Sequence, residues 1–296
     1  MVNTRLGETP LPKVNYSWAE QWVTSMKHEN VLAPSTIRHH VGALARCFDW
    51  ACRLGVTALV QNPLRLLEKG YATYNDEDAR AVRAQKKVPK GDTHRDRRLE
   101  DGEEERIRVI LNGEKPRGKE RAFALKYQAA LECIFDLALE SCMRMREMYT
   151  LSPTQVDLVK KTIFLDKTKN GDRRQVPLTT VAIRVLKTYT KHLEHGTRGM
   201  HGFNCSQELF FPWWDGEQAS LEKVTIRLSR QFDRIFVAAG CDDLHFHDLR
   251  HEAISRLFER TTLNEIEASR ITGHKDPRQL RRYSNLRGSH LATKLW

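Results

Sequence analysis

One hairpin set among helices constrains the architecture of this chain more than any other stretch. Residues 162–178, TIFLDKTKNGDRRQVPL, alternate apolar and polar side chains on both sides of Asn170-Gly171. That pair supports the positive φ angles of a type I′ turn. The flanking sequence follows a helical period instead. In APSTIRHHVGALARCFDWACRLG, residues 33–55, the apolar Ile37, Val41, Leu44, Ala45, Phe48, Ala51 and Cys52 fall in one sector, with Pro34 and Ser35 as start signals and Gly55 as stop. AFALKYQAALECIFDLALESC, residues 122–142, is apolar enough for a core helix, and 221–239 returns to helical period. LEDGEEERI predicts a helix start with Asp101 as N-cap, and ELFFPWWDG predicts a buried aromatic connector. The expected fold is therefore mainly α with a small β-sheet, an α+β arrangement in two domains, one of them all-helical.

Charge points to a polyanionic partner. Lys and Arg number 49 against 38 Asp and Glu, a formal net charge of +11. Placement adds to the total. His39, Arg46 and Arg53 are spaced by seven and line the polar face of the 33–55 helix near Trp50, as a helix lying in a DNA groove would present them. RAVRAQKKVPKGDTHRDRR, residues 80–98, has eight cations and two acids around Pro89 and Gly91, the composition of a basic linker able to track a phosphate backbone. Candidate DNA contacts are Arg38, His39, Arg46, Arg53, Lys86, Lys87 and Lys90; the plain alternative is a solvated face and a solvating tether. No apolar run approaches the ~18 residues of a membrane helix, and the first fifteen residues lack the apolar core of a signal peptide. Six cysteines without a CxxC pair read as reduced thiols, with neither disulfide nor structural zinc expected.

LHFHDLRHEA, residues 244–253, crowds His245, His247, Arg250 and His251 around Asp248. Two readings are open on spacing alone. His247 and His251 at i and i+4 share a helical face, as the zinc ligands of HExxH do. However, Asp248 is a methylene shorter than the Glu base of that motif, and Arg250 would set a fixed cation beside the metal. His247 and Arg250 at i and i+3 suit a phosphate instead, as an imidazole and a guanidinium fork. Further residues complete the second set: Arg144 and Glu147 in ESCMRMREMYTLS, Lys169 beside the hairpin turn, His274 in ITGHKDP and Tyr283 in LRRYSNL.

In this order, Arg, Lys, His-x-x-Arg, His and Tyr resemble the signature of the tyrosine recombinases, the phage integrase family. The run from LHFHDLRHEAISR to GHKDPRQLRRYSNLR looks like the shufflon-type DNA invertases within it. The resemblance covers nearly the whole chain. It implies a helical DNA-clamping domain over residues 1–84, a basic linker over 85–97 and a catalytic domain over 98–296. It also implies a site-specific recombinase that cleaves and rejoins DNA strands through a 3′-phosphotyrosyl link, serving integration, excision or inversion, with no metal or other cofactor. By resemblance Tyr283 is the nucleophile, Arg144 and Arg250 hold the non-bridging oxygens, and Lys169, ahead of Lys167, is the general acid. His247 is the base or hydrogen-bond partner near the attacking hydroxyl, His274 a further donor, and Glu147 a residue that orients the basic side chains. His245 reads as a structural or surface residue and His251 as a packed helper.

The implied partners are double-stranded DNA bearing a recombination site, further copies of the chain in a tetramer on that DNA, and accessory DNA-bending proteins, in the cytoplasm at the nucleoid and away from membranes. A start close to the clamping domain implies no extra arm-binding domain. The chain departs from the family pattern at Ser141-Cys142, where members carry Thr-Gly, and at Arg146, a rival to Arg144. Two alternatives remain. A non-catalytic DNA-binding protein of the same fold should have lost some of the six active positions, and all six are filled. A metalloprotease would leave Arg144, Lys169, His274 and Tyr283 without a role.

Overall fold

The computed structural model describes residues 7, 9–55, 61–92, 95–116, 118, 120–166, 173–280 and 283. The chain divides into two compact units between Arg95 and Asp96. In the first, α1 (Tyr16–His28) and α2 (Pro34–Leu54) pack around Val23, Met26, Ile37, Val41, Ala45, Phe48 and Leu64, and α3 (Asp76–Ala84) packs on α1. The apolar sector read in α2 is the face that is buried, with Leu44 and Cys52 at its half-buried margin. Pro34 opens the helix where no N–H is needed, and Gly55 closes it at φ +63. Asp78, in the first turn of α3, accepts from Lys27 Nζ and His28 Nε2, each at 2.7 Å, and so ties α3 to α1.

The second unit is built on α5 (Gln128–Ser141), whose Leu131, Ile134, Phe135 and Leu137 are wholly buried. Against α5 lie α4 (Glu103–Leu111), α7 (Thr180–His195) and α9 (Phe246–Arg260); α8 (Leu221–Ala238) packs on α4. Phe211 stacks on Tyr189 of α7, Phe210 meets Tyr189 edge-on and Trp213 stacks on Phe211, so the aromatic connector is buried as its composition predicts. Three antiparallel strands, β1 (Val156–Asp157), β2 (Thr162–Leu165) and β3 (Arg174–Pro177), form one sheet in that order, with Ile163 opposite Val176 and Leu165 opposite Arg174. β1 is two residues long, too short for its alternation to register in the sequence. The Asn170-Gly171 turn lies outside the described residues.

Two expectations give way. The α4 N-cap is Gly102, at φ +77, and not Asp101. Glu103 does the capping, its Oε2 accepting from Glu100 N at 2.8 Å while Oε1 binds Arg97 at 2.6 Å. The core helix also starts later than its apolar run, because Tyr127 is left-handed at φ +58 and precedes Gln128 as N-cap.

Charge pairs hold the back of α9 in place. Arg98 donates to Glu252 (2.9 Å) and Glu259 (2.6 Å). Arg256 bridges Glu252 and Glu104, each at 2.7 Å, and Arg108 continues the chain from Glu104 (2.7 Å) to Asp136 (2.6 Å). Arg97 and Arg98, which the composition assigns to a DNA-tracking stretch, are therefore engaged with carboxylates of the second unit. Among the described residues no helix is long and apolar enough to cross a membrane.

Candidate active site

The first turn of α9 assembles the centre. Asp248 is its cap: Oδ2 accepts the His245 N–H at 2.8 Å, so the carboxylate that could have suited a metal motif satisfies the helix terminus instead. His245 is an exposed N-cap residue, 3.7 Å from Asp233. Two positions beyond Asp248, Arg250 is 4% exposed, with Nη1 donating to the Cys142 carbonyl and Nη2 to the Thr272 carbonyl at 2.6 Å. Burial, then the charges of Arg144 and Arg174, push its pKa down to about 10. The guanidinium thus sits among cations, anchored by neutral carbonyls, in a place that favours an anion.

Cys142 makes this possible by ending α5 at φ +54. Its left-handed conformation turns the chain sharply, so that its carbonyl faces Arg250 and Arg144 begins α6 (Met145–Tyr149). Glycine is favoured at such a φ; here a thiol takes the position and is buried, its pKa pushed up to about 12 by burial.

Glu147 organises the arginines. Its carboxylate accepts from the Arg144 N–H (2.8 Å), Arg144 Nη1 (2.9 Å), and Arg174 Nη1 and Nη2 (3.1 and 2.9 Å). Burial works to raise this carboxyl, but the Arg174 charge, the Arg144 N–H and the Arg144 charge outweigh it and hold it below the usual range. Two arginines therefore share one carboxylate, with Arg250 close by. His274 follows Gly273, the C-cap of α10 (Glu265–Thr272), and its Nδ1 lies 2.7 Å from Thr272 Oγ1. Burial, then Arg250, Arg144, Arg174 and His251, lower its pKa to about 4. The ring is neutral at pH 7, and in the tautomer whose Nδ1 accepts from the Thr272 hydroxyl its Nε2 is a donor.

Tyr283 is buried beside these groups. Its hydroxyl lies 2.5 Å from His251 Nδ1, with the rings stacked at 5.5 Å, and the His274 ring stands 6.5 Å away. His247 is exposed and edge-on to His251 at 5.0 Å. Arg144, Glu147, Arg250, His274 and Tyr283 thus converge, with His247 one ring removed from the tyrosine. Lys169 and Lys167 lie outside the described residues. Arg146 is exposed near Gln218 Oε1, at 3.4 Å, and leaves the cluster to Arg144. Among the described residues no group of three or more His, Cys, Asp or Glu side chains could hold a metal ion.

Two participants are absent from the set read in the sequence. Arg174 carried a signal, since it shares the buried face of β3 with Val176, and a cation at an inward position of a strand needs a partner. His251 carried only its i+4 spacing from His247. In the first unit His39, Arg46 and Arg53 are exposed on α2, Trp50 beside them is 56% exposed, and Lys86, Lys87 and Lys90 are exposed. Arg38 is exposed and paired with Asp92. α8 adds a basic row unnoticed in the sequence, Lys223, Arg227, Arg230 and Arg234, at i, i+4, i+7 and i+11.

Residues 120–290 match the phage integrase family, and the chain belongs to that family. It is similar to a shufflon-specific DNA recombinase of Escherichia coli, 37% identical over 207 residues that make up 70% of this chain and 44% of that protein. The chain thus spans less than half the length of that relative. Its fold is similar to that of a Tn1549 transposon integrase in complex with circular intermediate DNA (TM-score 0.59, 19% identity, 99% of this chain and 89% of that one). It is also similar to the XerH site-specific recombinase in a post-cleavage complex with a palindromic difH substrate (TM-score 0.62, 17% identity, 97% and 73%).

Proposed function

We propose that the chain is a site-specific DNA recombinase that breaks and rejoins strands through Tyr283. The observation that carries this reading is the pairing of a tyrosine hydroxyl with an imidazole, 2.5 Å apart, beside a cluster of three arginines with one carboxylate among them. A buried excess of guanidinium charge suits a phosphodiester, and the hydroxyl is the adjacent nucleophile.

In the proposed step the Tyr283 oxygen attacks phosphorus and passes its proton to His251. The bond from phosphorus to the 5′ oxygen breaks, and that oxygen takes a proton from Lys169. Arg144 and Arg250 hold the non-bridging oxygens, neutral His274 donates through Nε2, and exposed His247 is offered to the substrate at the mouth of the site. One phosphoester replaces another, so the bond energy is kept for rejoining and no other reactant enters. Glu147 orients the arginines.

The remaining assignments rest on the same reading. Residues 1–84 are the DNA-clamping domain, 85–97 the linker and 98–296 the catalytic domain. Arg38, His39, Arg46, Arg53, Lys86, Lys87 and Lys90 contact DNA, joined by the basic row of α8. The enzyme acts as a tetramer on paired sites, aided by DNA-bending proteins, at the nucleoid in the cytoplasm. Its similarity to a shufflon-specific recombinase favours inversion among the outcomes.

The test is a covalent-adduct assay with DNA from around the gene, in EDTA, comparing wild type with Tyr283→Phe. A DNA-linked band in wild type that is missing in the variant supports the reading. Retarded DNA on native gels with no adduct from either protein, across fragments tiling the locus, overturns it in favour of a DNA-binding protein.

A further inference from the structure

Arg174 stands where three parts of the site meet. It opens β3, both of its terminal nitrogens lie on Glu147, and its guanidinium is pressed against Gly273. A Cβ at Gly273 would fall 3.0 Å from Arg174 Cζ and closer still to Nη1, so a side chain there would displace the Arg174 guanidinium, and the φ of +72 favours glycine as well. The Arg174 side chain is 8% exposed, and its Nε, buried, has no hydrogen-bond partner among the described residues. Leaving a buried donor unmet is unfavourable, and a merely structural arginine would not need it.

Charge balance supplies a purpose. Glu147 carries one negative charge and faces two arginines. Without Arg174 its carboxylate would be free to turn wholly onto Arg144 as a fork-to-fork pair, which is the strongest geometry open to both groups. Arg144 would then have its charge neutralised and its N–H groups occupied. With Arg174 taking both oxygens, Arg144 gives the carboxylate one guanidinium nitrogen and its backbone N–H, and the rest of its fork is left for an anion.

Resting on the strand-transfer reading above, we infer that Arg174 is a positioning residue that neutralises Glu147 so that Arg144 stays available to the DNA phosphate, and that its fit against Gly273 holds the turn bearing His274. Arg174 touches no reacting atom. It acts through Glu147 on one side and Gly273 on the other.

The experiment measures the rate of adduct formation at saturating DNA and, separately, the DNA dissociation constant, for wild type, Arg174→Gln, Glu147→Gln and the double variant. Arg174→Gln should slow the adduct about 100-fold, the scale of losing one stabilising donor, while DNA affinity stays within about threefold because most phosphate contacts lie elsewhere. The double variant should react faster than Arg174→Gln, since a neutral amide in place of the Glu147 carboxylate no longer captures Arg144. That reversal is one a purely structural role would not produce. Gly273→Ala should reproduce the defect of Arg174→Gln. If Arg174→Gln does not fold, Arg174→Met, which removes the charge but keeps the bulk of the stem, carries the test in its place, with the same recovery expected from Glu147→Gln. A wild-type rate in the Arg174 variant, or a double variant as slow as the single one, overturns the inference. Absence of the adduct from wild type would instead remove the strand-transfer reading on which it stands.

Discussion

The two faces of α9 treat buried charge in opposite ways. On the back, Arg98 and Arg256 meet Glu252, Glu259 and Glu104, and every guanidinium has a carboxylate. On the front, Arg250 has only backbone carbonyls, and Arg144 and Arg174 divide one Glu147 between them. The two faces use the same residue type on the same helix. The difference teaches how to separate structural charge from functional charge: a balanced network is complete as it stands, whereas a buried surplus of one sign is complete only with a ligand of the other.

Substitutions on the two faces should therefore fail differently. The largest effect is expected at the front. Arg250→Ala should lower the adduct rate on the order of 10³-fold, as loss of a charge-stabilising donor does. Its unfolding free energy should stay within about 1 kcal/mol of wild type, because relief of an uncompensated buried charge offsets the two lost carbonyl bonds. Adduct kinetics together with thermal melting check both halves. At the back the pattern reverses. Arg98→Met takes away the Arg98 partner of Glu259 and leaves Glu252 to Arg256, and since Arg98 keeps 22% side-chain exposure the loss should be about 2 kcal/mol, less than for a fully buried pair. Melting should fall by roughly 4–8 °C, with the adduct rate at low temperature within about threefold of wild type. If Arg98→Met lost reactivity without stability, the division between the faces would collapse.

A smaller effect follows from His274. Its pKa in the folded protein, about 4, lies below the ordinary 6.5, so the unfolded chain binds more protons between those values and stability must fall as pH drops from 6.5 towards 4. Denaturant titrations across that range should show a shallower dependence for His274→Gln. An unchanged slope would mean that the ring is not held neutral. The smallest effect belongs to Cys142. A glycine there relieves the left-handed backbone, worth about 1 kcal/mol, and gives up the packing of one buried thiol. Cys142→Gly should therefore unfold within about 1 kcal/mol of wild type, whereas a loss of several kcal/mol would show that the thiol, and not the turn, is what the position needs.

Much of this was legible in the sequence, for reasons tied to particular residues. The buried sector of α2 and the His247-x-x-Arg250 pair are periodic or spaced within single elements, and spacing survives in a string of letters; Arg144 and Tyr283 came from the resemblance of the whole ordered set. What escaped is contact across elements. Arg174 is 27 residues from Glu147 in the chain, and nothing local to QVPL announces the carboxylate it meets. The His251 contact with Tyr283 spans 32 residues, so the first histidine of the motif drew notice where the second touches the hydroxyl. Arg97 and Arg98 misled in the other direction. Composition reads them as free cations, and only the fold shows the acids of α4 and α9 that engage them.

The central claim is that the front of α9 holds a phosphate by its charge. It is met most directly by cleaving DNA in which the attacked phosphodiester, once located by adduct formation, is replaced by an uncharged methylphosphonate. Arg250→Ala should then recover tenfold or more of its lost cleavage, because the DNA no longer carries the charge that the missing guanidinium would balance, and Arg98→Met should gain nothing comparable. Equal cleavage of both substrates by Arg250→Ala would contradict the claim and leave the surplus charge without an anion to explain it.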